Sequence, residues 1–266
     1  MHDLSGKRGF IFDLDGVVYI GKTPIEGARE TLAHIRETGG KVRFLTNNAA
    51  DSREHYVRKL GSMGIRCEKD EVITSGQGVA IYLRSRYKNV KCFVIGERGF
   101  ADELSQQGFS VLEGKEGERA DFVAVGIDSG FTYEKLKIAL RAVKNGARFV
   151  AANPDVSRPG EEGLEPGAGA MVAALEASSG VKPEIVIGKP NPMLFEIAVK
   201  GMGLKRNEVA TVGDRIDTDI VGGNRFKLYT ILVLTGITRR GDLRGLKGDE
   251  KPKLVLNSVA DLRELF

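Results

Sequence analysis

The chain has 266 residues, 41% of them hydrophobic and 29% charged, and its 40 basic residues exceed its 36 acidic ones by four. That composition excludes a disordered chain and is long enough for one large domain or a core with a second, smaller domain. The basic residues are scattered, and the locally basic stretch from Arg239–Arg240 to Lys253 reads as solvated surface, so no nucleic-acid partner is expected.

Short β-branched and aromatic runs alternate with longer segments of helical period, the signature of a parallel sheet with helices on its faces. In chain order the predicted strands are GFIFDLD, KVRFLT, CFVIG, DFVAVGI, RFVAA, EIVIG, EVATVGD and TILVL. Helices are predicted between them over Glu26–Glu37, Ser52–Met63, Tyr133–Asn145, Ala168–Ser178, Met193–Met202 and Ile216–Asn224. Gly39–Gly40, Gly61, Gly64, Asn145–Gly146, Gly201 and Gly203 mark helix ends, because glycine and asparagine tolerate the left-handed turn that closes a helix. Pro190-Asn191-Pro192 can lead into the Met193 helix but cannot lie inside one.

The N-terminus carries Asp13 and Asp15 inside its only apolar run, so it reads as neither a signal peptide nor a targeting helix. Nowhere does an apolar stretch approach the roughly 18 residues of a membrane span. Cys67 and Cys92 lack metal-site spacing and read as buried thiols. A cytoplasmic protein without membrane attachment is expected.

Four polar features fall at the C-terminal ends of predicted strands, where open parallel α/β sheets place their ligands. They are Asp13-Leu14-Asp15-Gly16, Thr46-Asn47-Asn48, Lys189-Pro190, and Asp214 with Asp217 and Asp219. Two carboxylates at the tip of a strand as apolar as Phe10-Ile11-Phe12 need compensation, which a hard divalent cation supplies. Asp214 can complete such a site. Taken singly, each feature also reads as a turn, a helix cap or a surface lysine.

In order, DLDGV, FLTNN, GKP and GDRIDTDI resemble the haloacid dehalogenase superfamily of phosphotransferases. TNN, NPD at 153–155, PGAGAM at 166–171 and IGKPNP at 187–192 are similar to its branch of NagD-like and 4-nitrophenyl phosphatases, which also includes phosphoglycolate and pyridoxal phosphatases. The resemblance runs from Phe10 to about Leu265. It implies a Rossmann-like α/β core with a parallel sheet and an inserted α/β cap domain of the kind that branch carries.

By the same resemblance the chain is a Mg2+-dependent phosphatase acting on a small phosphomonoester through an aspartyl-phosphate. Asp13 is the implied nucleophile, and Asp15 the implied proton donor to the leaving oxygen and later activator of water. Thr46, Asn47 and Lys189 are implied to hold the phosphoryl group. Asp13, the backbone carbonyl of Asp15, and Asp214 are implied metal ligands, with Asp219 orienting a metal-bound water or holding Lys189. One departure stands out: where relatives usually place a glycine, this chain has Phe226-Lys227-Leu228.

The 142 residues between Thr46 and Lys189 exceed what one crossover requires and carry strands of their own. The expected division is a catalytic core over 1–76 and 184–266 and a cap over 77–183, with hinges near Gly76–Gly78 and Gly180–Pro183. A cap implies a substrate small enough to enclose. Asn153, Asp155 and Arg158, directly after RFVAA, are expected to face the leaving group. The resemblance also suggests a homodimer formed through the cap.

Two other readings compete. A phosphomutase or phosphotransferase would pass the same aspartyl-phosphate to an acceptor other than water, and a regulatory phosphate-binding protein would keep the fold without turnover. The presence of both Asp13 and Asp15 disfavours the second. A dinucleotide-binding reading is weak, since Gly167-Ala168-Gly169 lacks a third glycine in register and reads as a helix entry.

Overall fold

The structure is a computed structural model and describes Leu4, residues 6–160 and residues 163–265. The chain forms two compact units: Met1–Thr46, Tyr56–Ile73 and Lys189–Phe266 make the first, and Asn47–His55 with Thr74–Gly188 the second.

The first unit is built on a six-stranded sheet in the order Leu254–Leu256, Tyr229–Val233, Val209–Gly213, Gly9–Phe12, Lys41–Thr46, Val72–Thr74. Gly9–Phe12 pairs in parallel with Val209–Val212 on one side and Lys41–Phe44 on the other, so it is central. All four of its residues are buried, as expected of a parallel strand covered on both faces. Helix Ala28–Glu37 packs on the Lys41–Thr46 strand, with Ala28, Leu32 and Ile35 recurring at helical spacing on its buried face. Burial of Leu32 and Ile35 contributes about 2 kcal/mol each. Helix Met193–Met202 packs against Gly9–Phe12 and Lys41–Thr46, inserting Leu194, Phe195 and Ala198.

The second unit has a five-stranded parallel sheet in the order Ile185–Val186, Arg148–Ala151, Phe122–Val125, Lys91–Ile95, Ser110–Leu112. Its core gathers Ile95, Val125, Phe149, Ile138 and Leu175 from this sheet and from helices Tyr133–Lys144 and Ala168–Ser179. Thr132 caps the first of these by accepting from Lys135 N at 3.2 Å, and left-handed Gly180 ends the second.

Several elements differ from the sequence expectation. EIVIG yields only Ile185–Val186, which pairs with Val150–Ala151 in the second unit's sheet, so Lys189 does not sit at the end of a core strand. Gly76–Gly78, expected as a hinge, lies inside helix Ser75–Arg86. Thr74 starts that helix by accepting from Gln77 N at 3.1 Å, and a side chain at Gly76 would meet the Phe100 ring. The unit boundaries at 73/74 and 188/189 thus fall outside 77–183, and Asn47–His55 joins the second unit. The segment expected as one helix over Ile216–Asn224 opens with a wider π-type turn, Ile216–Ile220, before α-helix Val221–Arg225. Among the described residues no helix is long and apolar enough to cross a membrane.

Candidate active site

Strand register assembles the first unit's site. Phe12 pairs with Val212, so the carboxylates that follow these two strands, Asp13 and Asp214, emerge side by side. Asp13 N donates to Val212 O at 2.9 Å, extending the ladder by one residue into the site. Asp13, Asp214 and Asp219 each offer a carboxylate oxygen within 4.8 Å of the others.

Lys189 is buried among them. Its Nζ donates to Asp13 Oδ1 at 2.7 Å, to Asp219 Oδ1 at 2.7 Å and to the Leu45 carbonyl at 3.4 Å. The last contact brings it beside the end of the Lys41–Thr46 strand, where Thr46 is also buried. Burial alone would lower the Lys189 pKa, but the charges of Asp13 and Asp219 outweigh it and hold the ammonium well above its ordinary range. Asp13 is pushed well above the usual carboxylate range by burial; Lys189 opposes the shift, while Asp219 and Asp214 add to it. Three carboxylates share one ammonium in this cluster, so ionising all of them leaves excess negative charge.

The three carboxylates are not equivalent. Asp219 uses both oxygens: Oδ1 accepts from Lys189, and Oδ2 accepts from Arg215 N at 3.2 Å. Asp214 Oδ2 accepts from Ile237 N at 2.7 Å, whereas its Oδ1 is buried without a hydrogen-bond partner. Burial and the neighbouring Asp219 raise Asp214 from the ordinary 3.8 to about 6. An orphaned buried carboxylate oxygen beside two further carboxylates is a donor set that fits a hard divalent cation such as magnesium. Asp214 is the residue with an oxygen to give, while Asp219 is committed to Lys189 and the Arg215 amide.

Asp15 does not join this cluster with its carboxylate; its side chain is exposed, two residues beyond Asp13. The turn that carries it is closed by Gly16 N donating to Tyr19 O at 2.8 Å. Gly16 has φ of +82°, and a Cβ there would lie 2.6 Å from Asp214 Oδ2. Asp217 lies outside the cluster, exposed and paired with Arg215 at 2.7 Å.

Sequence reasoning missed the loop after strand Tyr229–Val233. Thr235 Oγ1 donates to the Gly16 carbonyl at 2.6 Å, Ile237 N holds Asp214, and a side chain on Gly236 would overlap Asp214 Oδ2. The loop thus ties the Asp13–Gly16 turn to the Asp214 turn. The signal available was a Thr-Gly pair at the end of a buried parallel strand, the position already used to select the other motifs.

The remaining candidates lie in the second unit. Asn47 O accepts from Ser75 Oγ at 2.5 Å and Asn153 Nδ2 at 2.6 Å, and Asn47 Nδ2 donates to Asp155 Oδ2 at 3.0 Å. Arg158 is on an antiparallel hairpin formed by Ser157–Gly160 and Gly163–Pro166, where it faces Glu165 and pairs with it at 2.7 Å.

Comparison with known proteins shows the family. A family described as haloacid dehalogenase-like hydrolase matches residues 10–110, and one described as HAD-hydrolase-like matches 186–262. The chain is 37% identical over 249 residues to an acid sugar phosphatase of Staphylococcus haemolyticus, covering 94% of this chain and 92% of that protein. The crystal structure of 4-nitrophenylphosphatase from Thermotoga maritima superposes with a TM-score of 0.93 at 34% identity, covering 99% of both chains. A glycerol phosphate phosphatase from Mycobacterium tuberculosis in complex with magnesium gives a TM-score of 0.90 at 32% identity, covering 97% of this chain and 77% of that one.

Proposed function

From the premise that the chain belongs to the haloacid dehalogenase-like hydrolases and is a phosphatase acting on small phosphate esters, we propose that it works through a phosphorylated Asp13 with magnesium bound. The observation that carries this reading is the Asp13–Lys189–Asp219 chain of 2.7 Å contacts beside an Asp214 oxygen with no partner. Asp13, the Asp15 carbonyl and Asp214 would hold the metal, whose charge draws electron density from the phosphoryl oxygens and offsets the excess negative charge of the cluster.

The residues of the chain do the rest. Lys189 favours the ionised form of Asp13 by ion pairing, against the upward pull of burial, and orients its carboxylate, while Asp219 fixes Lys189 from the other side. The free oxygen of Asp13 forms a bond to phosphorus as the ester P–O bond breaks, and Asp15 gives its proton to the departing oxygen. Water then attacks phosphorus, Asp15 takes its proton, and the Asp13–phosphorus link breaks to release phosphate. Asp13 and Asp15 have opposite protonation requirements; Lys189 opposes the upward shift that burial gives Asp13, and Asp15 stands exposed. Thr46 and Asn47 would donate to the phosphoryl oxygens.

The names of the relatives support sugar phosphates and 4-nitrophenyl phosphate as first substrates. We further propose a cytoplasmic setting, supported by two free, buried thiols, each pushed up to about 12 by burial. The test is phosphate release from 4-nitrophenyl phosphate and a sugar-phosphate panel, with magnesium present and after chelation. Turnover lost on chelation and restored by magnesium supports the reading. Release that requires an added acceptor alcohol points to a phosphotransferase.

A further inference from the structure

Three motifs noted in the sequence meet in the second unit, where Asn47 of TNN, the NPD loop and PGAGAM form one hydrogen-bonded assembly. The carbonyl of Asn47 takes two side-chain donors, Ser75 Oγ and Asn153 Nδ2, and both donor residues are buried. Asp155 holds the Asn47 side-chain amide, and Asp155 N in turn donates to Asn153 Oδ1 at 3.1 Å. The NPD loop is itself fastened from behind, where Gly169 N donates to Asp155 O and Gly167 N to Val156 O, both at 2.8 Å. A Cβ on Gly167 would overlap Asp155 O, and one on Gly169 would overlap Pro154 O. The glycines of PGAGAM therefore permit close backbone packing of NPD on the start of helix Ala168–Ser179. Gly188 closes the other side: a side chain there would meet Asn153 Cβ at 2.7 Å and Asn47 Oδ1 at 2.8 Å.

These contacts are aimed at Asn47, the residue that follows Thr46 in the chain. Two donors on one carbonyl fix the plane of the Asn47–Asn48 peptide, because the peptide is rigid. The Asp155 contact fixes the side-chain rotamer as well. We propose that Ser75, Asn153 and Asp155 are positioning residues for Asn47, and that the NPD loop serves phosphate binding in place of recognising the leaving group. This rests on the proposed role of the Thr46–Asn47 stretch in holding the phosphoryl group. It reassigns Asn153 and Asp155 from the leaving-group role expected from sequence.

Inorganic phosphate separates the two roles because it has no leaving group. Phosphate is titrated calorimetrically into the magnesium-loaded full chain, as wild type, Asn153→Ala and Ser75→Ala. Losing one donor on a buried carbonyl is expected to weaken phosphate binding about 3- to 10-fold. The same variants should lower kcat/KM by one common factor across esters with different leaving groups. Ser75→Ala leaves the Asn153 donor in place and carries the test if Asn153→Ala does not fold. Unchanged phosphate affinity in the folded variants overturns the proposal, as does a reordered substrate preference or a wild type that binds no phosphate. A wild type that hydrolyses no ester, with phosphate affinity still falling in the variants, overturns the proposed function and leaves the positioning role standing.

Discussion

Replacing Asp214 with asparagine is expected to stabilise the metal-free protein at neutral pH while removing its magnesium binding. Asp214 is buried, with one oxygen on Ile237 N and the other without a partner, and its pKa is raised from 3.8 to about 6. Holding that carboxylate ionised costs the folded state about 3 kcal/mol at pH 7. The sign follows from proton binding. Asp214 holds its proton more tightly folded than unfolded, so its contribution favours the folded state at acid pH and is lost as pH rises from about 4 to about 6. Asparagine keeps an acceptor for Ile237 N, and its amide can face the neighbouring carboxylates. The assay is urea unfolding of both proteins in chelator between pH 4 and pH 7, read as the difference between them so that titrating groups outside the Asp214 cluster cancel. Asp214→Asn should gain up to about 3 kcal/mol relative to wild type across that range. Calorimetry should detect magnesium binding in wild type only. A stability difference that does not change with pH, or one that moves against the variant as pH rises, would refute the reasoning.

Thr235→Val removes the donor to the Gly16 carbonyl and should weaken magnesium binding about 10-fold, roughly the value of one buried hydrogen bond, with Thr235→Ser restoring it; equal affinities in all three proteins would dismiss the clamp. Lys227 adopts φ of +62° in the turn before strand Tyr229–Val233. Lys227→Gly should therefore stabilise the protein by up to about 1 kcal/mol, since relief of left-handed strain exceeds the added flexibility of the unfolded chain. Denaturant unfolding with an unchanged or lowered midpoint would show that the turn is not strained.

The core site was legible because parallel pairing turns sequence motifs into neighbours. A buried apolar strand ending in Asp13 and another ending in Asp214 can only bring their carboxylates together at one edge of the sheet. The departure noted over Phe226-Lys227-Leu228 contains the left-handed residue, Lys227. Lys189 was found for a reason the fold does not support, since EIVIG runs in the other sheet and the lysine reaches Asp13 from the chain that follows it. The hydrogen bonds of Asn153 and Asp155 were not legible, because their partners, Asn47 and Gly169, are remote in sequence and such bonds leave no periodic trace. Helices Ser75–Arg86 and Arg98–Gln106 went unseen for related reasons. The first opens with two glycines, of which Gly76 sits against the Phe100 ring, and the second is only nine residues long.

Whether Asp13 carries the phosphoryl group is read by acid-quenched mass spectrometry of the protein during turnover of 4-nitrophenyl phosphate with magnesium. Wild type, and more strongly Asp15→Asn, in which release of the group is slowed, should carry one phosphoryl group on the peptide containing Asp13. Asp13→Asn should carry none and turn nothing over. Turnover by Asp13→Asn, or a phosphoryl group on another residue, would contradict the account.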